Sequence, residues 1–348
     1  MSLQRDRVAP YAAWAAVCFF WGTTYLAIRI GLETLPPMLF AGLRFITAGA
    51  VLFAFVYGWQ RARLPRGREW FDLCIVGLML LGIGNGLVVW AEQWVSSGLA
   101  ALLVATSPFW VVGFERMRRA GERVSLRAVT GMLVGFAGLA LLVAPDLFGD
   151  SWHGRYFLGI IALQVACASW SGGSVYSKHH QTEVTPLMGA AVQMLIAGGA
   201  LALTGTIAGE WGALSFSARS LSAFIYLVLF GSIVAYGSYI YAIQKLPLSI
   251  VSMYSYINPV IAVLLGWAIL HEPLGWRVIA AMLIILSGVA LVKSAPKRRL
   301  PSPYREGAEE KVARMRAGEI FYAEAGAAHS AHPVGEARVS VVEREGSI

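Results

Sequence analysis

Hydrophobic residues run in ten stretches of close to membrane-spanning length, near 10–30, 36–58, 71–91, 97–114, 127–144, 156–177, 186–207, 220–242, 247–269 and 275–293, parted by short polar or charged breaks. A hydrocarbon layer of about 30 Å takes roughly 20 helical residues at 1.5 Å each, so every stretch is predicted to be a membrane-crossing helix. Composition agrees: the mean hydropathy is +0.62, with 57% hydrophobic and 14% charged residues. A soluble core of that make-up would lack the polar surface to cover it. The predicted fold class is all-α integral membrane.

The ten stretches read as five followed by five more in the same order. Trp170 stands 149 positions after Trp21, and the same offset joins Arg29 to Lys178, Pro37 to Pro186, Ala41 to Ala190, Arg44 to Gln193, Ala48 to Ala197, Gly49 to Gly198 and Leu52 to Leu201. Offsets of 150 or 151 join Pro108 to Pro259, Glu122 to Glu272 and Gly138 to Gly288. An odd number of crossings per copy turns the second copy over, which predicts two inverted five-helix repeats. The predicted layout is an N-terminal segment 1–9, a first repeat 10–144, a connecting loop 145–155, a second repeat 156–293 and a tail 294–348. That tail opens on Pro296, Lys297, Arg298 and Arg299 and holds too little apolar content to fold alone, so it is predicted to be disordered, its basic start lying on anionic headgroups.

Charge sets the orientation and excludes one partner class. With the N-terminus placed in the cytoplasm, seventeen Lys and Arg residues fall at inside ends and only Arg29, Arg155, Arg219 and Arg277 at outside ends. This is the positive-inside pattern, which predicts a cytoplasmic membrane protein with both termini cytoplasmic and accounts for the net charge of +8 without nucleic acid. Arg5 and Arg7 before an apolar run resemble a signal peptide, but Trp21 makes that run the first landmark of the repeat. Cys18, Cys74 and Cys167 all fall inside predicted spans and form no disulfide framework.

Several short motifs recur in an ordered spacing: Phe20-Trp21-Gly22-Thr23 in the first span, Leu43-Arg44-Phe45 in the second, Ser107-Pro108 in the fourth, Asn258-Pro259-Val260 in the ninth, and His271-Glu272-Pro273 leading to Gly288 in the tenth. Together they resemble the drug/metabolite transporter superfamily, specifically its EamA-type ten-helix exporters, over about residues 10 to 293. The resemblance implies a pseudo-two-fold bundle that exports a small metabolite or amphipathic compound without a cofactor. It leaves open the substrate, the coupling ion and the oligomeric state, a homodimer included.

Arg44 carries the sharpest chemistry, because a mid-bilayer charge costs roughly 2.5–3.5 kcal/mol on insertion scales. Either it faces a hydrated cavity and draws an anionic or zwitterionic group of the substrate, or it bonds carbonyls at a helix end or reaches Glu33 or Glu92. Asp72, Glu92 and Glu115 lie at span ends, Glu92 within reach of water, so no carboxylate is expected at Arg44's depth. A proton-coupled exporter of lipophilic cations needs such a group, and it becomes the alternative function. The first function is a secondary-active exporter of a small metabolite, amino-acid-like, anionic, zwitterionic or neutral, by alternating access. Trp21, Tyr25, Asn85, Trp170, Gln193, Tyr236, Tyr239, Tyr254 and Asn258 join Arg44 as candidates for the cavity wall. Pro108 and Pro259 are predicted to kink the fourth and ninth spans at equivalent points. The small residues Gly131, Gly135, Gly138, Ala281 and Gly288 are predicted to let helices approach closely, and Gly82, Gly84 and Gly86 to face the helix of Arg44. An intramembrane serine hydrolase is suggested by Ser171 and Ser174 beside His179 and His180, but the base lies on the serine's own helix. No metal-ligand spacing, phosphate loop or dinucleotide motif occurs. An enzyme is therefore not expected.

Overall fold

The computed structural model describes residues 2–118, 126–148, 154–251 and 254–294, and among them every regular element is a helix. The tail from 295 on lies outside the described residues, as do the 149–153 part of the connecting loop and Glu122. Seven helical stretches are long and apolar enough to cross a membrane: Val8–Gly31, Pro37–Trp59, Arg68–Ala91, Ser97–Glu115, Gly154–His179, Pro186–Ile207 and Ala218–Lys245. Shorter apolar helices cover Val129–Gly138, Ile257–Leu270 and Trp276–Gly288. No disulfide links the three cysteines.

Local chemistry starts and stops these helices. Helix α1 is Ser2–Gly31, and α2, Pro37–Phe53, opens on a proline whose missing N–H costs nothing in a first turn. Glu210, far along the chain, accepts from Met38 N (3.3 Å) and Leu39 N (2.7 Å) and so covers the same helix end. Helices α3 (Arg68–Gly77) and α4 (Gly86–Ala91) flank a π-helical segment, Leu78–Asn85. Helix α5, Ser97–Val104, is capped from a distance: Glu272 accepts from Ser97 N and Oγ, both at 2.8 Å, and from Gly98 N at 3.1 Å. Replacing Glu272 with Ala is expected to lower stability by about 1–2 kcal/mol, as loss of a cap does, read as a lower Tm in detergent. Then follow α6 (Ser107–Arg118), α7 (Leu126–Phe148), α8 (Gly154–His179) and α9 (Pro186–Ile207), the last capped by Thr185, which accepts from Met188 N. A Ser217–Ser220 capping box starts α10, Ala218–Tyr226, which runs through a third π-helical segment, Leu227–Val234 (after Ala54–Trp59 and Leu78–Asn85), into α11, Ala235–Lys245. The order closes with α12 (Leu248–Val251), α13 (Tyr254–Leu270) and α14 (Trp276–Ser294).

Two long helix pairs hold the bundle. Helix α2 packs along α9 and α7 along α14, each through glycines. A Cβ at Gly42 would overlap the backbone of Ala202, and one at Gly198 the backbone of Ile46 and Gly42. In the other pair a Cβ at Gly288 would strike the backbone of Gly131 and Gly135, so the expected small-residue face is where the helices touch. The α3–α4 glycines behave differently from the expectation. Gly84 faces Trp170 and Gly86 faces Leu201, while Gly82 meets only its own helix's Leu78. None of the three lies against α2, because α2 uses its glycine-bearing face on α9.

The proline pair also differs from a pair of matched kinks. The fourth span breaks at Ala105–Thr106 between α5 and α6, and Pro108 falls in the first turn of α6, where it restarts a helix. Thr106 Oγ1 donates to Leu103 O (2.7 Å) and Ser107 Oγ to Val104 O (2.6 Å), so side chains take the carbonyls freed by the break. Pro259 does lie inside α13.

Candidate functional site

A cavity opens at the middle of the bundle between α1, α2, the π-helical segment Leu78–Asn85, α8 and α13. Its empty volume is about 660 Å³, counting the open space at its mouth. Trp21, Tyr25, Arg44, Asn85, Trp170, Tyr236, Tyr254 and Asn258 line it, eight of the ten residues chosen from the sequence. Tyr239 stands behind Trp170, whose Nε1 donates to the Tyr239 hydroxyl (3.2 Å). Gln193 lines a smaller cleft with Asp72 and His180 instead. It still touches the cavity wall, because the Tyr236 hydroxyl donates to Gln193 Oε1 at 2.6 Å.

The wall is an aromatic cluster. Trp21 meets Trp170 edge to face, with centroids 5.2 Å apart at 83°, and meets Tyr254 at 5.2 Å and 84°. Tyr239 lies 5.0 Å from Trp21 and 5.4 Å from Trp170. Edge-to-face pairs of this kind add about 0.5–1.5 kcal/mol each beyond the area they bury, so the rings form a firm surface, presenting π faces and edges to whatever enters. Their polar atoms are used: Trp21 Nε1 donates to Gly231 O at 3.2 Å. Gly231 belongs to the π-helical segment Leu227–Val234. In the segment Leu78–Asn85 a carbonyl likewise takes a side-chain donor, Met79 O accepting from Ser169 Oγ at 2.7 Å. Asn258, its amide nitrogen oriented by the network toward Tyr254 O (3.1 Å) and Cys18 O (2.9 Å), ties α13 to α1.

Arg44 is 2% exposed and reaches into this cavity from α2. Its Nε donates to Ser232 Oγ (2.9 Å), and its guanidinium carbon lies 4.8 Å from the Phe45 ring centre. Nη1 has no hydrogen-bond partner among the described residues. Of the structural partners read from the sequence, Glu33 pairs with Arg219 at 3.3 Å, Glu92 makes no hydrogen bond to Arg44, and no helix-end carbonyl holds the guanidinium among the described hydrogen bonds. Asn85 Oδ1 is a second buried atom without a partner. One cavity thus presents a guanidinium N–H and an amide oxygen, both buried, beside aromatic faces.

One expectation needs correction. Glu92, placed at a water-reachable span end, is fully buried at 0% exposure, with neither carboxylate oxygen hydrogen-bonded among the described residues. It caps α4, where Arg29 of α1 donates to its main-chain carbonyl and Gly159 of α8 packs against Ala91 and Val95, so the end of the apolar run is packed inside the bundle. Ser232, Thr24, Ser107 and Cys167 were not singled out as wall residues; Ser232 binds Arg44 and the other three line the cavity. Ser171 Oγ donates to Ser107 O (3.0 Å), Ser174 lies by the Tyr239 hydroxyl (2.7 Å), and His179 pairs with Glu115 (3.3 Å). Among the described residues no group of three His, Cys, Asp or Glu side chains could hold a metal ion.

The model of the EamA-like transporter family matches residues 10–144 and again 157–294. The chain is 37% identical over 293 residues to the uncharacterized inner membrane transporter YedA of Escherichia coli K12, covering 83% of this chain and 92% of that one. It is 25% identical over 288 residues to the uncharacterized transporter YoaV of Bacillus subtilis, covering 79% and 93%. A solved crystal structure superposes with a TM-score of 0.61 at 22% identity, covering 82% of this chain and 96% of its own, which is a likeness of fold. The match is to a transporter family rather than an enzyme family, the apolar helices make it a multi-pass membrane protein, and the chain belongs to the EamA-like transporter family.

Proposed function

We propose that this protein is a secondary-active transporter of small metabolites that carry an anionic or zwitterionic head and a flat or apolar body, the solute binding in the central cavity with its anionic group on Arg44. The carrying observation is the buried Arg44 Nη1 without a partner, in a cavity otherwise walled by aromatic rings. A buried guanidinium N–H left unpaired is costly, and an anionic solute group would satisfy it. Export is the direction that the family resemblance implies, and with no ATP-binding motif the driving force is a gradient.

A ten-helix architecture of two inverted repeats is part of this reading. It is supported by the double family match, and by π-helical segments whose bounds, Leu78–Asn85 and Leu227–Val234, differ by the same 149 positions that separate Trp21 from Trp170. The packing of α2 on α9 and α7 on α14 suits such a pseudo-two-fold axis, which would pass between the two touching tryptophans. Exposed Phe19, Leu203, Trp267 and Leu283 suit lipid contact on the outer faces. The second reading, proton-coupled export of lipophilic cations, is favoured by the buried Glu92. Arg44 in the cavity wall opposes it, because a positive wall repels a cation.

The test is uptake into proteoliposomes from a radiolabelled mixture of the twenty proteinogenic L-amino acids and small aromatic carboxylates. A quaternary ammonium dye is run in parallel. Saturable uptake of the mixture above protein-free vesicles supports the reading; uptake of the dye alone would favour the cation exporter.

A further inference from the structure

We propose that Glu92 is the proton-binding group that links proton movement to solute binding at Arg44. The inference rests on the reading of Arg44 as the solute anchor and adds the coupling ion to it.

Geometry carries the argument. Val88 lines the cavity, and Glu92 stands four residues further along the same helical face, one turn beyond the cavity wall. Its side chain is fully buried, and neither oxygen has a hydrogen-bond partner among the described residues. The groups around it come from each packed element. Helix α1 brings Arg29, whose Nη1 donates to the Glu92 main-chain carbonyl, and Tyr25. Helix α2 brings Arg44, and the turn before α14 brings Glu272. Helix α8 packs on α4 there with Gly159, against Ala91 and Val95. Glu272 is engaged in three hydrogen bonds at the start of α5. The other buried carboxylate, Asp72, accepts from the Tyr176 hydroxyl at 2.6 Å, so among the described residues Glu92 is the buried carboxylate whose oxygens no structural bond occupies.

No ion pair joins Arg44 to Glu92 among the described residues, and Arg29, half-buried on α1 with its Nη1 on the Glu92 main-chain carbonyl, is the stronger electrostatic neighbour of the carboxylate. In a low-dielectric interior a buried charge needs compensation. Arg29 is partly open to water and its charge is screened there, so with the cavity empty ionised Glu92 is the group left to balance Arg44. An anionic solute on Arg44 supplies that balance instead and leaves Glu92 best occupied by a proton. Proton and anion therefore favour each other's binding, and the coupling is reciprocal. Both the empty and the loaded forms keep the buried charge balanced, so proton and solute cross together. The solute leaves the cell when its own outward gradient exceeds the inward proton gradient.

The experiment uses the full chain in proteoliposomes, with the labelled amino-acid and aromatic carboxylate mixture as probe. In the wild type, an acidic exterior drives accumulation above the level reached at equal pH. Glu92→Gln, a fixed mimic of the protonated form, retains counterflow exchange but loses acid-driven accumulation, because its empty form must return with Arg44 unbalanced. Glu92→Asp restores that accumulation. Acid-driven accumulation in Glu92→Gln, or a wild type indifferent to pH, overturns the proposal. A pH-difference infrared spectrum tests the same site without any solute: the wild type shows the carbonyl band of a buried protonated carboxyl, which Glu92→Gln loses. Its absence from the wild type overturns the proposal, whereas absence of counterflow with the band present overturns only the solute reading.

Discussion

Arg44→Gln is expected to weaken solute binding by about 10- to 100-fold, since a hydrogen bond to a charged group is worth roughly 1.5–3 kcal/mol and each 1.4 kcal/mol is a factor of ten. Glutamine keeps a polar group near Ser232 but removes the charge. The loss should appear in the KM for flux, while the protein's Tm stays the same or rises, because an incompletely satisfied buried charge is gone. Glutamine also stands at the offset position in the second half, Gln193, where its amide oxygen accepts from Tyr236 inside the bundle, so the residue is compatible with a buried helix at this depth. An unchanged KM with intact protein would remove Arg44 from the binding site. A loss of Tm together with flux would make its role structural.

Gly198→Leu is expected to have the largest effect on stability. A Cβ there would come within 2.7 Å of Ile46 N and 3.0 Å of Gly42 O, so the obstruction is backbone on the facing helix and a change of rotamer cannot relieve it. Overpacking of a tight core costs about 1–3 kcal/mol or more, and α2 and α9 would have to separate along their length. The matched control is the next residue: Gly199 has open space within 4 Å of its would-be Cβ, so Gly199→Leu should leave Tm within error. Equal Tm values for the two variants would contradict the α2–α9 crossing.

Depth in the bilayer was legible in the sequence; direction around the helix was less so. Hydropathy and the repeat placed Trp21, Trp170, Tyr254 and Arg44 at one level, and the structure brings these four to one cavity. Gln193 and Tyr239 stand one layer behind the cavity surface, bonded to Tyr236 and Trp170, a distinction that the apolar pattern of their helices, with no polar stripe, does not reveal. Glu92 was misread for a related reason. It terminates an apolar run, and a run's end looks exposed until Arg29 of α1 and the α8 surface at Gly159 are seen to pack on it. The π-helical segments Leu78–Asn85 and Leu227–Val234 read in the sequence only as apolar stretches; the bonds they accept, Ser169 Oγ to Met79 O and Trp21 Nε1 to Gly231 O, join positions far apart in the chain. Pro108 was read as a kink from its mid-span position. Thr106 and Ser107, which complete the break, carried the missing signal: hydroxyls poised to take the carbonyls that an interrupted helix frees.

The central claim is that one cavity, walled by paired tryptophans and entered by Arg44, holds the transported solute. Its most direct test is counterflow in proteoliposomes preloaded with the unlabelled amino-acid and aromatic carboxylate mixture, run side by side for wild type and Arg44→Gln. Transient, saturable accumulation of label in the wild type, strongly reduced in the variant at equal protein insertion, is the predicted result. Equal counterflow in both, or none in either with correctly inserted protein, would contradict the claim.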